Sequence, residues 1–257
     1  MQERYIGERD VAIISGASSG IGEAFAHELG ANYHLILVAR RKERLDKLVA
    51  TLPSAIAYQC DLSLRQDRES FIGFCKNYLT SCKILINNAG YGHVGEFKDD
   101  SLEKELNMVE VNCLAPLHLT HGLIGLLKGG TIINVASIAA FQPMPYMSTY
   151  AASKSFLLSH SVSLAEELAP AGIRVIALCP GPVPTEFHIV AGLSNRIPYL
   201  HSQSAKEVVN YTLKCVRDGH SPIIVPGIIN KLIRILVAFL PFSWVAKIVK
   251  ILLKSYA

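Results

Sequence analysis

Metal-ligand clusters, paired cysteines, a long apolar run and an acidic C-terminus are all missing from this chain. Cys60, Cys75, Cys82, Cys113, Cys179 and Cys215 include no CxxC pair and no paired spacing. Neither a zinc site nor a disulfide framework is therefore expected, and free thiols point to a reducing, cytoplasmic compartment. The nine histidines show no ligand spacing; His118 and His121, i,i+3 on a helix, read as a surface or packing pair, so no metal is expected. Mean hydropathy is +0.30, yet no run of about 18 uncharged apolar residues exists. The longest candidates, Ile223–Ile229 and Ile235–Leu240, are broken by Pro and Lys. Met1–Asp10 is polar and lacks an apolar h-region, so no secretory signal is expected. From Gly219 onward there are five basic residues (Lys231, Arg234, Lys247, Lys250, Lys254) and no acidic one, while the remainder holds 20 basic against 21 acidic. A nucleic-acid partner would need a denser basic patch or a binding motif, and neither is present.

What is present is core material. Half of the 257 residues are hydrophobic and 18% are charged, which fits one α/β domain and excludes disorder. Short runs rich in Val and Ile, Val11–Ser15, Leu35–Ala39, Ala55–Gln59, Ile84–Asn87, Thr131–Val135, Arg174–Leu178 and Pro222–Val225, read as strands buried on both faces. Between them lie helical patterns over Gly20–Gly30, Lys42–Leu52, Arg65–Leu79, Leu102–Leu127, Thr149–Ala169 and Ala205–Asp218. This βαβ alternation predicts an α/β, Rossmann-type, doubly wound parallel sheet of about seven strands with helices on both faces. Pro180–Ser202 fits neither period and is expected to form a substrate lid within a domain spanning 1–226. Residues 227–257 read as a basic, apolar helical extension of that domain, two short helices separated by Pro241.

The first strand runs through Gly16-Ala17-Ser18-Ser19-Gly20-Ile21-Gly22 directly into a helix. Glycines let the backbone turn tightly beside a phosphate, and the helix N-terminus offers it free N–H groups and partial positive charge. A dinucleotide site is therefore expected, with GxxxGxG spacing in place of the commoner GxGxxG. An acid closing the second strand would favour NAD. Here that strand ends Ala39-Arg40-Arg41. A guanidinium grips a 2′-phosphate with paired donors, so NADP (NADPH) is the expected cofactor.

Tyr150 and Lys154 lie four apart on one helical face. An ammonium beside a phenol favours the phenolate and would bring its pKa down toward the working range. Ser137 falls just past the fifth strand, at the sheet end where ligands bind in such folds. Asn112 sits inside the Leu102–Leu127 helix, a mildly unfavourable place for Asn.

Together with Asp61-Leu62, Asn87-Asn88-Ala89-Gly90 and Pro180-Gly181 followed by Thr185, these motifs resemble the classical short-chain dehydrogenase/reductase family, from about Asp10 to Pro226. The resemblance implies roles. Tyr150 would be the general acid/base, Ser137 would bond the substrate oxygen, and Lys154 would hold the nicotinamide ribose. Asn112 would position a water linked to Lys154. Asp61 would accept from the adenine amino group beside Leu62, and Thr185 would meet the carboxamide. The Asn87–Gly90 element would stabilise the central sheet and border the cofactor.

The activity implied is oxidoreduction of a small-molecule carbonyl or alcohol, lipophilic in the subgroup whose tails resemble this one. Such a substrate would be a sterol-like ketone or a 3-oxoacyl group. Its alternative is an idle dinucleotide-sensing or scaffold protein on the same fold. A homo-oligomer, dimer or tetramer, is also implied, although Gly122, Gly125, Gly129 and Gly130 make the usual interface helix unusually glycine-rich. The tail has Val245, Ile248, Val249 and Leu252 at helical spacing, with Lys247, Lys250 and Lys254 on another face. That pattern suits peripheral contact with a membrane surface, or a lid or subunit interface.

Overall fold

The computed structural model describes residues 4–5, 7–192, 202–219 and 221–254. Strand β1 (Val11–Ser15) leads through α1 (Gly20–Leu29) to β2 (His34–Ala39), α2 (Lys42–Val49), β3 (Ala55–Gln59), α3 (Arg65–Tyr78) and β4 (Ile84–Asn87). The second half runs α4 (Leu102–Val109), α5 (Ala115–Leu123), β5 (Thr131–Val135), α6 (Ser148–Leu168), β6 (Arg174–Leu178), α7 (Glu186–Val190), α8 (Ala205–Arg217), β7 (Ile223–Ile224), α9 (Ile228–Ala238) and α10 (Phe242–Leu253). All pairings are parallel, in the order β3-β2-β1-β4-β5-β6-β7. The chain reverses direction between β1 and β4, which opens a crevice at their carboxyl ends.

Both faces of the sheet are covered, as the continuous apolar strands require. Ala12 and Ile14 of β1 face one layer with Phe25 of α1, Leu45 of α2 and Val208 of α8. Val11 and Ile13 face the other with Phe71 of α3 and Leu119 of α5. Phe25 and Phe71 are fully buried, and removing one such ring from water stabilises the fold by about 1.5–3 kcal/mol.

One expected element is divided. The segment read as a single helix over Leu102–Leu127 is α4, a π turn over Glu110–Leu114, α5 and a 3₁₀ turn over Ile124–Leu126. The backbone N–H of Ala115 bonds the carbonyl of Glu110, five residues back. Pro116 has no N–H to give the carbonyl of Asn112, which favours the wider turn. Of the expected lid, residues 180–192 carry α7, and 193–201 lie outside the described residues. The tail forms its two helices, whose inner residues Val237, Val245 and Val249 pack with Met144 and Leu253. No helix among the described residues is long and apolar enough to cross a membrane.

Candidate active site

The crevice beyond β1 and β4 is a cleft of about 720 Å³. Its phosphate end is built by backbone. Gly16 has φ +65° and Gly20 φ +63°, a region that costs a side-chain-bearing residue strain. A Cβ on Gly16 would also come within 2.8 Å of Ala89 Cα. Gly22 lies behind this turn, where a Cβ would overlap the Gly16 carbonyl. Ser15 Oγ locks the two strand ends together, accepting from the N–H groups of Asn88 at 3.0 Å and Ala89 at 3.1 Å. Asn88 Nδ2 donates to the carbonyls of Ser15 and Gly16. Ser18, Ser19, Gly20 and Ile21 line the cleft at the start of α1, whose partial positive charge suits a phosphate.

Arg40 and Arg41 follow β2, both exposed and both on the cleft. Arg41 donates to Ser18 Oγ and Ser19 Oγ and pairs with Glu186 at 2.7 Å. Arg44 also grips Glu186. The two arginines hold the Glu186 carboxyl down at about 2, Arg44 contributing most. Asp61 and Leu62 line the same end, and Asp61 Oδ1 accepts from the Ser63 N–H and hydroxyl.

At the other end Tyr150, Lys154 and Ser137 share one wall. Tyr150 and Lys154 stand one turn apart on α6, with Lys154 Nζ 5.8 Å from the phenol ring centroid. Ser137, in extended backbone before a 3₁₀ turn, accepts from the Ala139 N–H and lies on the cleft beside the Tyr150 phenol. Burial pushes that phenol up to about 12, against the pull of Ser137. Desolvation of the phenolate dominates, and the opposing pull comes from Ser137 and not from Lys154 as expected. Burial also brings the Lys154 ammonium down to about 8, and Nζ donates to the Val135 carbonyl at 2.9 Å.

Besides Gly22, two predicted residues lie off the cleft surface. Asn112, in the π turn, is held by the Tyr91 N–H and carbonyl and by Ser153 Oγ. It meets Lys154 only across Gly90, where a Cβ would fall 3.0 Å from Asn112 Oδ1 and 3.1 Å from Lys154 Nζ. Asn87 does not line the cleft and serves the sheet, as the resemblance also implied. Its amide donates to Thr120 Oγ1 and Asn134 Oδ1, tying β4 to α5 and β5 inside the core. Thr185 caps α7 by accepting from the Phe187 N–H and touches the turn at Gly20.

Sequence reasoning missed Glu186, Arg44 and the apolar wall of Met144, Met147, Phe187 and Leu252. Only Glu186 carried a usable signal, its place directly after Thr185; the others depend on long-range packing.

The residues fit a dinucleotide: bare backbone and a helix start at one end, two hydroxyls and an ammonium at the other, and a side-chain-free cradle at Gly90 between Asn112 and Lys154.

A family model described as short chain dehydrogenase matches residues 10–192. The chain is 30% identical over 225 residues to a pig (Sus scrofa) protein named dehydrogenase/reductase SDR family member 4, covering 83% of this chain and 77% of the relative. Among solved structures it resembles a short-chain dehydrogenase from Sphingobium yanoikuyae in complex with NADPH, with TM-score 0.80 and 29% identity over 90% of this chain and 96% of the other. It also resembles a 3-ketoacyl-(acyl-carrier-protein) reductase from Brucella melitensis complexed with NADH, with TM-score 0.76 and 27% identity over 85% and 97% of the two chains.

Proposed function

Since the chain belongs to the short-chain dehydrogenase/reductase family, we propose that it is an NADP(H)-dependent oxidoreductase acting on a lipophilic carbonyl/alcohol pair, with Tyr150 as general acid/base. The observation that carries this reading is the meeting of Tyr150, Ser137 and Lys154 on one cleft wall, in line with the glycine-rich turn.

The turn and α1 would hold the pyrophosphate, Arg40 and Arg41 the 2′-phosphate, and Asp61 with Leu62 the adenine. Lys154 and Thr185 would hold the nicotinamide end, and Gly90 would leave it room. The nicotinamide supplies or takes up the hydride when bound. Reduction builds negative charge on the substrate oxygen, and the hydroxyls of Tyr150 and Ser137 are two donors that can stabilise it. The proton then comes from the phenol. At about 12 the buried phenol stays protonated at neutral pH, the form that an acid for reduction requires. Asn112, bonded to the backbone behind Gly90, would position the water that resupplies the proton.

The apolar wall of Met144, Met147, Phe187 and Leu252 supports a lipophilic substrate. The Brucella relative acts on a 3-ketoacyl group and is complexed with NADH, so NADP preference rests on the basic end of β2 alone. All six cysteines are buried and free, in keeping with a reducing, cytoplasmic setting. The reading includes a homo-oligomer, dimer or tetramer, and peripheral membrane contact through 227–257.

The test is a substrate panel of lipophilic ketones, 3-oxoacyl thioesters and sugars, followed by NADPH absorbance. An idle dinucleotide sensor would turn over none. Arg40→Asp is expected to weaken NADPH binding by about ten- to a hundred-fold, the worth of one charged hydrogen-bonded contact, with NADH binding little changed. Equal affinity of the wild type for NADH and NADPH refutes the NADP assignment.

A further inference from the structure

Helices α9 and α10 leave a wide apolar surface uncovered. On α9, Ile228, Leu232, Ile235, Leu236 and Phe239 recur at helical spacing and are 55–82% exposed. On α10, Trp244, Ile248, Ile251 and Leu252 form a second exposed stripe, 50–76% accessible. Phe239 and Phe242 flank Pro241 at the turn between the helices, adding aromatic rings there. The opposite faces of both helices are already used, since Val237, Val245 and Val249 pack inward.

The charge around this surface has one sign. Lys247, Lys250 and Lys254 are exposed beside the α10 stripe. Lys231 and Arg234 reach into a groove of about 910 Å³ between α8, β7 and α9, in which no acidic residue lines the wall. Their cationic heads lie over aromatic rings, Lys231 Nζ 5.2 Å from the centre of Tyr211 and Arg234 Cζ 5.1 Å from that of Phe141. An apolar face with aromatic rings at its turn, on a segment whose charged residues are all cations, complements an interface of acyl chains and anionic headgroups.

The same helices form part of the cleft. Asn230 of α9 packs so closely on Gly181 that a Cβ there would overlap its carboxamide. Leu252 is both exposed and on the cleft wall, and Leu253 lies beside it. We propose that α9 and α10 dock this protein on an anionic lipid bilayer, and that its lipophilic substrate enters the cleft from the bilayer beside Leu252. The docking half stands on the surface alone; the substrate route rests on the function proposed above.

Trp244 is the only tryptophan in the chain and is 61% exposed, so its emission reads the contact directly. Phosphatidylcholine vesicles containing phosphatidylglycerol are expected to shift Trp244 emission to the blue and to co-sediment the protein. Pure phosphatidylcholine should do so far less, and salt should weaken the anionic case. The double variant Lys247→Glu/Lys250→Glu should lower partitioning by about ten-fold or more, as each lysine near an anionic surface contributes roughly four- to six-fold. It should leave NADPH affinity unchanged, which also shows that it folds. Phe239→Asp/Phe242→Asp should abolish insertion with every lysine retained.

Absence of shift and co-sedimentation at low salt overturns the docking. So does a concentration-dependent dimer without lipid in which Trp244 emission is already blue, because the face then belongs to a second copy. For the route, anionic vesicles should raise turnover of a bilayer-dissolved long-chain ketone but not of a short soluble one. Docking without that increase, while the soluble ketone is reduced, overturns the route alone; loss of both reductions with docking intact refutes the enzymatic reading instead.

Discussion

The guanidinium of Arg41 pairs with the carboxylate of Glu186 at 2.7 Å, joining the glycine-rich turn to the start of α7. Arg41 meanwhile holds Ser18 and Ser19, so one side chain links the glycine-rich end of the cleft to α7. A cofactor 2′-phosphate at this corner would share the arginines with a carboxylate. Glu186→Gln keeps the size and removes the charge, and is expected to tighten NADPH binding by about two- to five-fold, the range of an exposed ion pair. NADH, which has no 2′-phosphate, should bind as before. Calorimetric titration of both cofactors checks this, and equal tightening of the two would show that Glu186 acts only through the lid.

The protonation states of Tyr150 and Lys154 set the pH dependence of reduction. The phenol, at about 12, stays protonated through the accessible range, while the ammonium, at about 8, does not. With Lys154 required as a cation, kcat/KM for carbonyl reduction should fall as pH rises through about 8. Tyr150→Phe should remove nearly all turnover at every pH while NADPH binding stays largely intact, since the ring still packs 5.4 Å from Phe187. Turnover at a tenth of wild type or more would reject Tyr150 as the acid.

Much of this was legible in the sequence because it depends on local patterns. Val11–Ser15 was readable as a strand because a run buried on both faces is continuously apolar, and Gly16 and Gly20 because only bare backbone tolerates that turn. The helix over Leu102–Leu127 was misread because hydrophobic spacing is blind to a single wider turn; Pro116 was its one local sign. For Asn87 the resemblance implied both a place in the central sheet and a border with the cofactor, and its side chain serves the sheet by bonding Asn134 of β5. Glu186 stood next to Thr185 in the sequence, but its pairing with Arg41 and Arg44, more than 140 residues away, had no local sign.

Burial of Lys154 also has a consequence for stability. Its folded pKa of about 8 lies below the ordinary lysine value of 10.5, so between these values the unfolded chain binds the extra proton. Stability from this group therefore rises with pH from about 8 to 10.5 and is lost as pH falls through 8. Cys60, Cys82 and Cys179, pushed up to about 12 by burial, act oppositely above pH 9. The difference between wild type and Lys154→Met cancels the thiols. Wild-type Tm is expected to gain on that of the variant between pH 7.5 and 9.5, and a constant difference would show that Lys154 keeps an ordinary pKa.

Arg68 offers a stability test away from the chemistry. It is buried, donates to the Leu62 carbonyl at 2.7 Å and pairs with Glu110 at 2.8 Å, fastening the loop after β3 to the π turn. Arg68→Met keeps the apolar stem and deletes these bonds. A hydrogen bond involving a charged group contributes about 1.5–3 kcal/mol, so a loss of that size is expected in urea unfolding. A loss below about 0.5 kcal/mol would place this residue with ordinary surface positions.

Gly90 separates the two halves of the expected proton path. Its φ is not positive, so alanine meets no backbone strain there. The new Cβ would nevertheless lie 3.0 Å from Asn112 Oδ1 and 3.1 Å from Lys154 Nζ, so one neighbour must give way by a few tenths of an ångström. Asn112 is fixed by three hydrogen bonds, to the Tyr91 N–H, the Tyr91 carbonyl and Ser153, whereas Lys154 is held by the Val135 carbonyl. The lysine should therefore move, away from the position proposed to hold the nicotinamide ribose. Displacements of this kind cost catalysis steeply, and Gly90→Ala is expected to lower kcat by about ten-fold or more while shifting Tm little. NADPH affinity should weaken with it, since the same ammonium serves both. If kcat and affinity stay within two-fold of wild type, the cradle at Gly90 has no part in positioning Lys154.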